Sequence, residues 1–366
     1  MTKFRVMVAA GGTGGHLFPA FALAEELGRR GYDVDLVTEQ RGERYGTNFP
    51  AREVHYVPSA TLGGKSPQAL AKTGLTLSRG VISALRMLGE AKPAAIVGFG
   101  GYPTIPPLVA AWIRRIPIAI HEQNAVMGRA NRLLARFTTN VALSFDVTRL
   151  LPEGAKAKSR LTGAPVRDAV LQLASKPYPK LGASGKVSLV VFGGSQGAQY
   201  FSDIVPDAVL ALPEEVRKRL SLVQQCRPED LDRVAATYAK AGVDADLASF
   251  FDDLPKRMSQ AHLVISRSGA SSVAELAVLG RPAILVPLPH ALDNDQLENA
   301  TRLQQAGGAW CFPQAELTSA RLADEIIRLL RDPKALGQAA EAARSCGKAD
   351  AVEKLADLVE ELTAGR

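Results

Sequence analysis

A short apolar run, a cluster of glycines and an amphipathic helix pattern follow one another twice in this chain, and that repetition limits the fold more than any other feature. Phe4–Ala10 reads as a strand, Gly11–Gly15 as a tight loop, and Pro19–Arg30 as a helix with apolar Phe21, Leu23, Ala24 and Leu27. The same order returns at Val187–Phe192, Gly193–Gly197 and a helix through Val205 and Leu210, with Gly193 lying 182 residues after Gly11. A second pair matches Ala95–Val97, Gly98–Gly101, a helix to Arg115 and Pro117–Ile120 with His262–Ile265, Ser268-Gly269, a helix to Leu279 and Pro282–Val286. From Pro117 to Pro282 the offset is only 165, so the first half carries about 17 extra residues, assigned to the Gly/Ser/Lys-rich Ala60–Thr76. Alternating βα units build a parallel sheet flanked by helices, and two copies predict an α/β protein of two Rossmann-like lobes, with ligands beyond the strand carboxyl ends in an interlobe cleft.

The predicted division is 1–160 as the first lobe, 161–345 as the second and 346–366 as a C-terminal helix packing back on the first lobe. The Pro/Gly-rich stretch Leu151–Lys186 interrupts any long periodic segment and is the expected hinge. At 366 residues, 46% hydrophobic and 22% charged, each half can bury a core, and collagen-like, disordered and disulfide-scaffold classes are excluded. Cys226, Cys311 and Cys346 form no metal-ligand spacing and read as thiols in a reducing compartment. The first apolar run is too short for a signal peptide, and no stretch approaches the ~20 apolar residues of a membrane span.

Charge is unevenly placed. Residues 1–160 hold 21 Lys+Arg against 11 Asp+Glu, whereas residues 161–366 hold 23 against 26. The cationic half could attract nucleic acid, anionic lipid or a phosphorylated substrate. In Lys72–Leu88, Leu75, Arg79, Ile82 and Arg86 recur on one helical stripe, and Trp112-Ile113-Arg114-Arg115 adds a second apolar and basic cluster. An anionic phospholipid surface explains both clusters, and a core-facing helix with solvated arginines is the alternative. No aromatic stripe for base stacking is interleaved with the cations, so nucleic acid is not an expected partner.

The glycine loops do not fit the NAD fingerprint, because Leu17 and Pro103 stand where its third glycine belongs. Leu62–Ser66 resembles the end of a P-loop without its upstream glycine or leading strand. What the loops share is a strand end and a following helix, which lets backbone N–H groups approach an anion without a Cβ in the way. His16, just after the first loop, is a candidate general base, and Glu122, after a strand in His121-Glu122-Gln123-Asn124, is the alternative. Ser272-x-x-Glu275 reads either as a capping box or as a carboxylate accepting from ribose hydroxyls. The pairs Asp33/Asp35, Asp244/Asp246 and Asp293/Asp295 could hold Mg²⁺, but helix-start dipoles supply the same stabilisation, so neither metal nor cofactor is expected.

Six segments together carry a family likeness: GGTGGHLFPA (11–20), GFGGYPT (98–104), HEQNAVMGRAN (121–131), GGSQGA (193–198), SRSGASSVAEL (266–276) and PLPHALDNDQLENA (287–300). Over essentially its whole length the sequence resembles the MurG family, peripheral membrane glycosyltransferases of the GT-B fold. These enzymes add N-acetylglucosamine from UDP-GlcNAc to lipid I in bacterial peptidoglycan synthesis. The resemblance implies an N-terminal lobe for the undecaprenyl-diphosphate-linked acceptor and a C-terminal lobe for UDP. It implies that Thr13, Gly14, Gly15 and Asn124 face the donor sugar, that Tyr102 belongs to the substrate-binding set, and that Arg167 and Phe251 lie near uracil. Ser195 is then expected at the diphosphate, Ala270, Ser271, Ser272 and Glu275 along the nucleotide, and Gln296 and Asn299 at sugar hydroxyls. The chain departs from the family pattern at Ala164, where Asn is usual before Pro165-Val166-Arg167, and at Asp295 before Gln296. The implied reaction is one inverting displacement, at the cytoplasmic face of the inner membrane, with cell-wall synthesis proteins as further partners. The competing reading is a nucleotide-sugar isomerase of the same architecture, or another UDP-sugar:lipid glycosyltransferase.

Overall fold

The computed structural model describes residues 4–11, 14–39, 49–61, 66–182, 184–194 and 199–364. The chain forms two units, one of residues 1–167 with 348–366 and one of residues 168–347.

In the first unit, β1 (Arg5–Ala9), β2 (Asp33–Thr38), β3 (Glu53–Tyr56), β4 (Ala95–Gly98), β5 (Ile118–Glu122), β6 (Asn140–Leu143) and β7 (Ser159–Leu161) make one parallel sheet in the order β3-β2-β1-β4-β5-β6-β7. The central strands β1 and β4 are near-continuous apolar runs because helices cover both faces, whereas the edge strands β3 and β7 carry exposed polar residues. Alternation divides β1 between two cores. Val6 and Val8 pack with Leu23 and Leu27 of the helix Gly14–Arg29 and with Leu355, Leu358 and Val359 of the helix Ala351–Thr363. Met7 and Ala9 pack on the other face with Ala84, Leu88 and Leu108. The C-terminal helix is also tied polarly, by Arg30 Nη1 to Asp357 Oδ1 at 2.7 Å and by Tyr32 to Thr363 at 3.1 Å. A division at residue 160 cuts through β7, and the first unit instead runs on to Arg167.

The helix Pro67–Ala91 begins inside Ala60–Thr76, the segment to which the extra residues of the first half are assigned, with Ser66 accepting from Ala69 N–H at 3.2 Å and Pro67 at its first position. It lies against the Pro58 carbonyl and Pro106 through Gly80, where any Cβ would collide with that carbonyl. Leu62–Lys65 of the P-loop-like stretch fall outside the described residues.

The second unit repeats the plan. β8 (Val187–Phe192), β9 (Leu220–Gln225), β10 (Asp244–Ala248), β11 (Leu263–Ser266), β12 (Ala283–Leu285) and β13 (Ala309–Cys311) form a parallel sheet in the order β10-β9-β8-β11-β12-β13. Each sheet therefore reverses its strand order once, between β1 and β4 and between β8 and β11, and these are the switch points at which open α/β sheets bind ligands.

Candidate functional site

At the first switch point the loops after β1, β4 and β5 meet. His16 is the third residue of the helix Gly14–Arg29, which has no acidic residue in its first turn. Its ring lies by the Phe99 carbonyl and the Gln123 amide, while buried Nδ1 makes no hydrogen bond of good geometry. Burial holds the imidazole below its ordinary 6.5, outweighing the raising effect of those two neighbours. The Nε2 edge faces Gly101, whose φ of +75° favours glycine and where a Cβ would stand 3.4 Å from Nε2. Gln123 Nε2 donates to the Phe99 carbonyl at 2.8 Å and so links the second loop to the third. Gly14 and Gly15 open the helix after the first loop, Tyr102 and Asn124 belong to the second and third loops, and Tyr102 O–H donates to the carboxylate of Glu39 just after β2. Thr13 lies outside the described residues.

Glu122 is the buried end of β5. Its Oε1 accepts from Asn124 N–H at 3.0 Å and from Asn124 Nδ2 at 3.3 Å, and its Oε2 accepts from Gly128 N–H at 2.9 Å and Asn131 Nδ2 at 2.8 Å. Burial pushes its pKa up, against the lowering effect of those donors. A carboxylate so occupied shapes the HEQN loop, and its lone pairs are already spent on the protein. Neighbouring His121 is wholly buried, with Nε2 2.9 Å from the Gly163 carbonyl, and burial lowers it to about 4.

Arg167, in the same unit, places its guanidinium over the Phe18 ring, 4.9 Å from the centroid. Phe251, in the second unit, lies under Arg257 at 4.4 Å.

At the second switch point, β8 leads to Gly193 and Gly194, the latter at φ +87°, and Gly193 N–H donates to Gln225 Oε1 at 3.1 Å. Ser195 lies outside the described residues. After β11, the helix Ala270–Leu279 starts from Gly269 with no side-chain cap, so the first-turn N–H groups at Ala270, Ser271 and Ser272 point out of the helix unpaired within it. Ser272 is inside the helix, which removes the capping-box reading of Ser272 and Glu275. Glu275 is buried on this helix.

The loop is braced from the helix Asp295–Gln305. Ser268 Oγ donates to the Gln296 carbonyl at 2.8 Å, Leu288 N–H donates to Gln296 Oε1 at 3.0 Å, and Asn299 Nδ2 donates to the Ser268 carbonyl at 3.2 Å. Asn299 is wholly buried, and its amide nitrogen braces the Ser268 carbonyl. Between β12 and this helix, His290, Asp293 and Asn294 hold φ of +60°, +54° and +57°, a run of left-handed residues of the kind retained where geometry matters more than local stability. Burial, with Asp293 nearby, raises the Asp295 carboxyl above its usual range.

Sequence reasoning missed Arg267. It is buried beside Tyr200 and Phe201, at 5.3 and 5.2 Å from their ring centroids, and it donates to Gln314 Oε1 at 2.6 Å and to the carbonyls of Val286 and Pro287. An arginine between two apolar strand ends was its only signal. One member of each of two aspartate pairs is taken up by arginine: Asp35 by Arg52 at 2.8 and 2.9 Å, and Asp246 by Arg257 at 2.5 Å.

Two parallel sheets with glycine loops at both switch points define an α/β protein of the GT-B fold. Residues 6–143 match the N-terminal domain and residues 188–360 the C-terminal domain of glycosyltransferase family 28. The chain is 51% identical over 363 residues to a protein of Chelativorans sp., covering 98% of this chain and 96% of that one, and 52% identical over 368 residues to one of Rhizobium meliloti, covering 100% and 97%. Both carry the name UDP-N-acetylglucosamine–N-acetylmuramyl-(pentapeptide) pyrophosphoryl-undecaprenol N-acetylglucosamine transferase. The crystal structure of Acinetobacter baumannii MurG superposes with a TM-score of 0.78 at 28% identity, over 98% of this chain and 99% of that one. A UDP-GlcNAc 2-epimerase of Neisseria meningitidis shares the fold, with a TM-score of 0.69 at 16% identity over 98% and 100% of the two chains. The chain belongs to the MurG family within glycosyltransferase family 28.

Proposed function

We propose that this enzyme transfers N-acetylglucosamine from UDP-GlcNAc to the C4 hydroxyl of lipid-linked N-acetylmuramyl-pentapeptide, lipid I, giving lipid II and UDP. The observation that carries the reading is half identity over the full chain to relatives named for that transfer. The first unit takes the acceptor and the second the donor.

His16 is the base in this reading. Its lowered pKa leaves it neutral at pH 7, the tautomer with hydrogen on Nδ1 leaves Nε2 free to accept, and Gly101 leaves room beside that nitrogen. Glu122 is then the residue that holds the loop carrying Asn124. The deprotonated C4 hydroxyl attacks the anomeric carbon from the face opposite UDP, so the α-linked donor gives a β(1→4) product. The departing diphosphate is stabilised by the first-turn N–H groups of the helix Ala270–Leu279 and by Ser195, and Glu275 accepts from the ribose hydroxyls. Thr13, Gly14, Gly15, Asn124 and Gln296 contact the sugar, Tyr102 the substrate, and Arg167 and Phe251 the uracil side.

The enzyme works from a membrane surface in this reading. No helix of the described residues is long and apolar enough to cross a membrane. Leu75, Ile82, Trp112 and Ile113 are each about half exposed beside exposed Arg79 and Arg86, which suits shallow insertion at the anionic cytoplasmic face of the inner membrane.

Incubating radiolabelled UDP-GlcNAc with a lipid I analogue in the presence of a chelator tests the reaction. Label should enter lipid only when acceptor is present. Conversion of UDP-GlcNAc to an isomer without acceptor would establish the isomerase instead.

A further inference from the structure

Arg267 follows β11 directly and precedes the helix Ala270–Leu279, at the switch point of the second sheet. Its side chain gathers the carboxyl ends of four strands of that unit. Nη1 donates to the carbonyls of Val286 and Pro287 beyond β12, each at 3.2 Å, and Nη2 donates to Gln314 Oε1 beyond β13 at 2.6 Å. The guanidinium also meets the rings of Tyr200 and Phe201 in the first turn of the helix Gln199–Leu210, which follows β8. Tyr200 O–H in turn donates to the carbonyls of Gln314 and Leu317, so the segments after β8, β11, β12 and β13 are held at one point.

The charge at that point has no counter-ion among the described residues. Arg267 is only 7% exposed, the acceptors it meets are neutral oxygens and ring faces, and its buried Nε has no hydrogen-bond partner. Burial lowers its pKa, but a guanidinium keeps its proton at neutral pH. Burying an ion without an opposite charge is costly, so the fold leaves room here for an anion that it does not itself provide. Arg281 is buried without a carboxylate too, yet it precedes β12 at the other end of the sheet, and each of its nitrogens donates to a carbonyl.

We propose that Arg267 is a positioning residue of the donor site, which holds the loops together and supplies the unmatched positive charge that a bound nucleoside diphosphate completes. The proposal rests on the donor reading above, in which the diphosphate lies against the first turn of the helix Ala270–Leu279. Three residues of chain span at most roughly 11 Å, which limits how far the backbone of Arg267 stands from that turn. A buried charge acts over such a span with little screening. The nucleotide gains negative charge as it leaves the sugar, so the attraction is stronger for departing UDP than for the intact donor and favours the transfer.

The test titrates the full chain with UDP and with uridine, which carries no phosphate, and follows binding by ligand NMR. Arg267→Gln removes the charge, Arg267→Lys keeps it without the planar fork, and Gln314→Glu sets a carboxylate beside the guanidinium at almost unchanged shape. UDP should bind about fivefold or more weakly to Arg267→Gln and to Gln314→Glu, with uridine affinity near that of wild type and a lowered kcat. Arg267→Lys should keep the wild-type ratio of UDP to uridine affinity. Equal losses for UDP and uridine, or a ratio that falls as far in Arg267→Lys as in Arg267→Gln, would overturn the proposal and leave Arg267 a brace alone. Gln314→Glu covers the case of an Arg267 variant that fails to fold, and unchanged UDP affinity in it would overturn the proposal by itself. A wild-type protein that binds UDP no better than uridine would overturn the donor reading, and the proposal with it.

Discussion

His121 Nε2 lies 2.9 Å from the Gly163 carbonyl oxygen and so ties the end of β5, from which the HEQN loop springs, to the segment where the chain leaves the first unit. The bond requires hydrogen on Nε2, and buried Nδ1 has no partner among the described residues to receive a second one. Burial accordingly lowers this imidazole to about 4. In the unfolded chain it titrates near 6.5, so the unfolded state binds the extra proton first and stability falls as pH drops through the window from 6.5 to about 4. The full span corresponds to ~3 kcal/mol. Urea unfolding at several pH values should show a shallower slope for His121→Gln, which keeps a donor and cannot titrate. Identical slopes would mean that other groups, buried His16 among them, set the acid limb.

His16→Ala should lower kcat by ~10²–10⁴ with UDP affinity near that of wild type, as loss of a general base predicts. Its lowered pKa sets the sign of the pH profile: activity should persist below pH 6.5 and fail only once the folded imidazole is protonated. A proportional loss of UDP binding in this variant would assign His16 to phosphate contact instead.

Glu122→Gln separates shaping from proton transfer. The variant keeps one acceptor oxygen of the two that now hold Asn124 and Gly128, so stability should fall by about 1–3 kcal/mol for the buried group left unpaired. The acid limb of kcat/KM should stay where wild type has it. A lost acid limb would restore Glu122 as the base.

Glu275→Gln should weaken UDP-GlcNAc binding by about 1–3 kcal/mol if a charged hydrogen bond to ribose is lost. Since Gly269 and no side chain begins that helix, the melting temperature should hold. Unchanged affinity measured by calorimetry would remove Glu275 from the nucleotide site.

Vesicle partitioning should fall with added salt and should be weaker for Leu75→Ser with Trp112→Ser, with each lost cation worth on the order of 1 kcal/mol in a series that changes Arg79 and Arg86. Equal partitioning onto neutral and anionic vesicles would end the membrane reading.

The doubled strand, glycine loop and helix were legible because a buried parallel strand is a short apolar run and the turn beyond it needs glycine. Val187–Phe192 is the observed β8 without adjustment, and Phe4–Ala10 overshoots β1 by one residue at each end. The helix Pro67–Ala91 was legible only from Lys72 onward, through its apolar and basic stripe, although Ser66-Pro67 carries the start signal. What periodicity could not give was the direction of polar side chains. Asn299 and Glu122 look like ligands in the sequence and turn inward in the fold, because the carbonyls and N–H groups of sharp loops need partners that only the tertiary arrangement identifies. The excess of arginines in the first half was visible in composition, whereas their gathering around Asp35 depends on β1, β2 and β3 being neighbours in the sheet.

The helix Ala351–Thr363 completes the core of the first unit with side chains that follow the whole of the second unit along the chain. The second unit, contiguous over residues 168–347, closes its core without a segment from elsewhere in the chain. Without Leu355, Leu358 and Val359, Val6, Val8, Leu23 and Leu27 lack part of their cover. The first unit is therefore closed only by a segment that lies beyond the second, and a chain cut before residue 351 would present an apolar face.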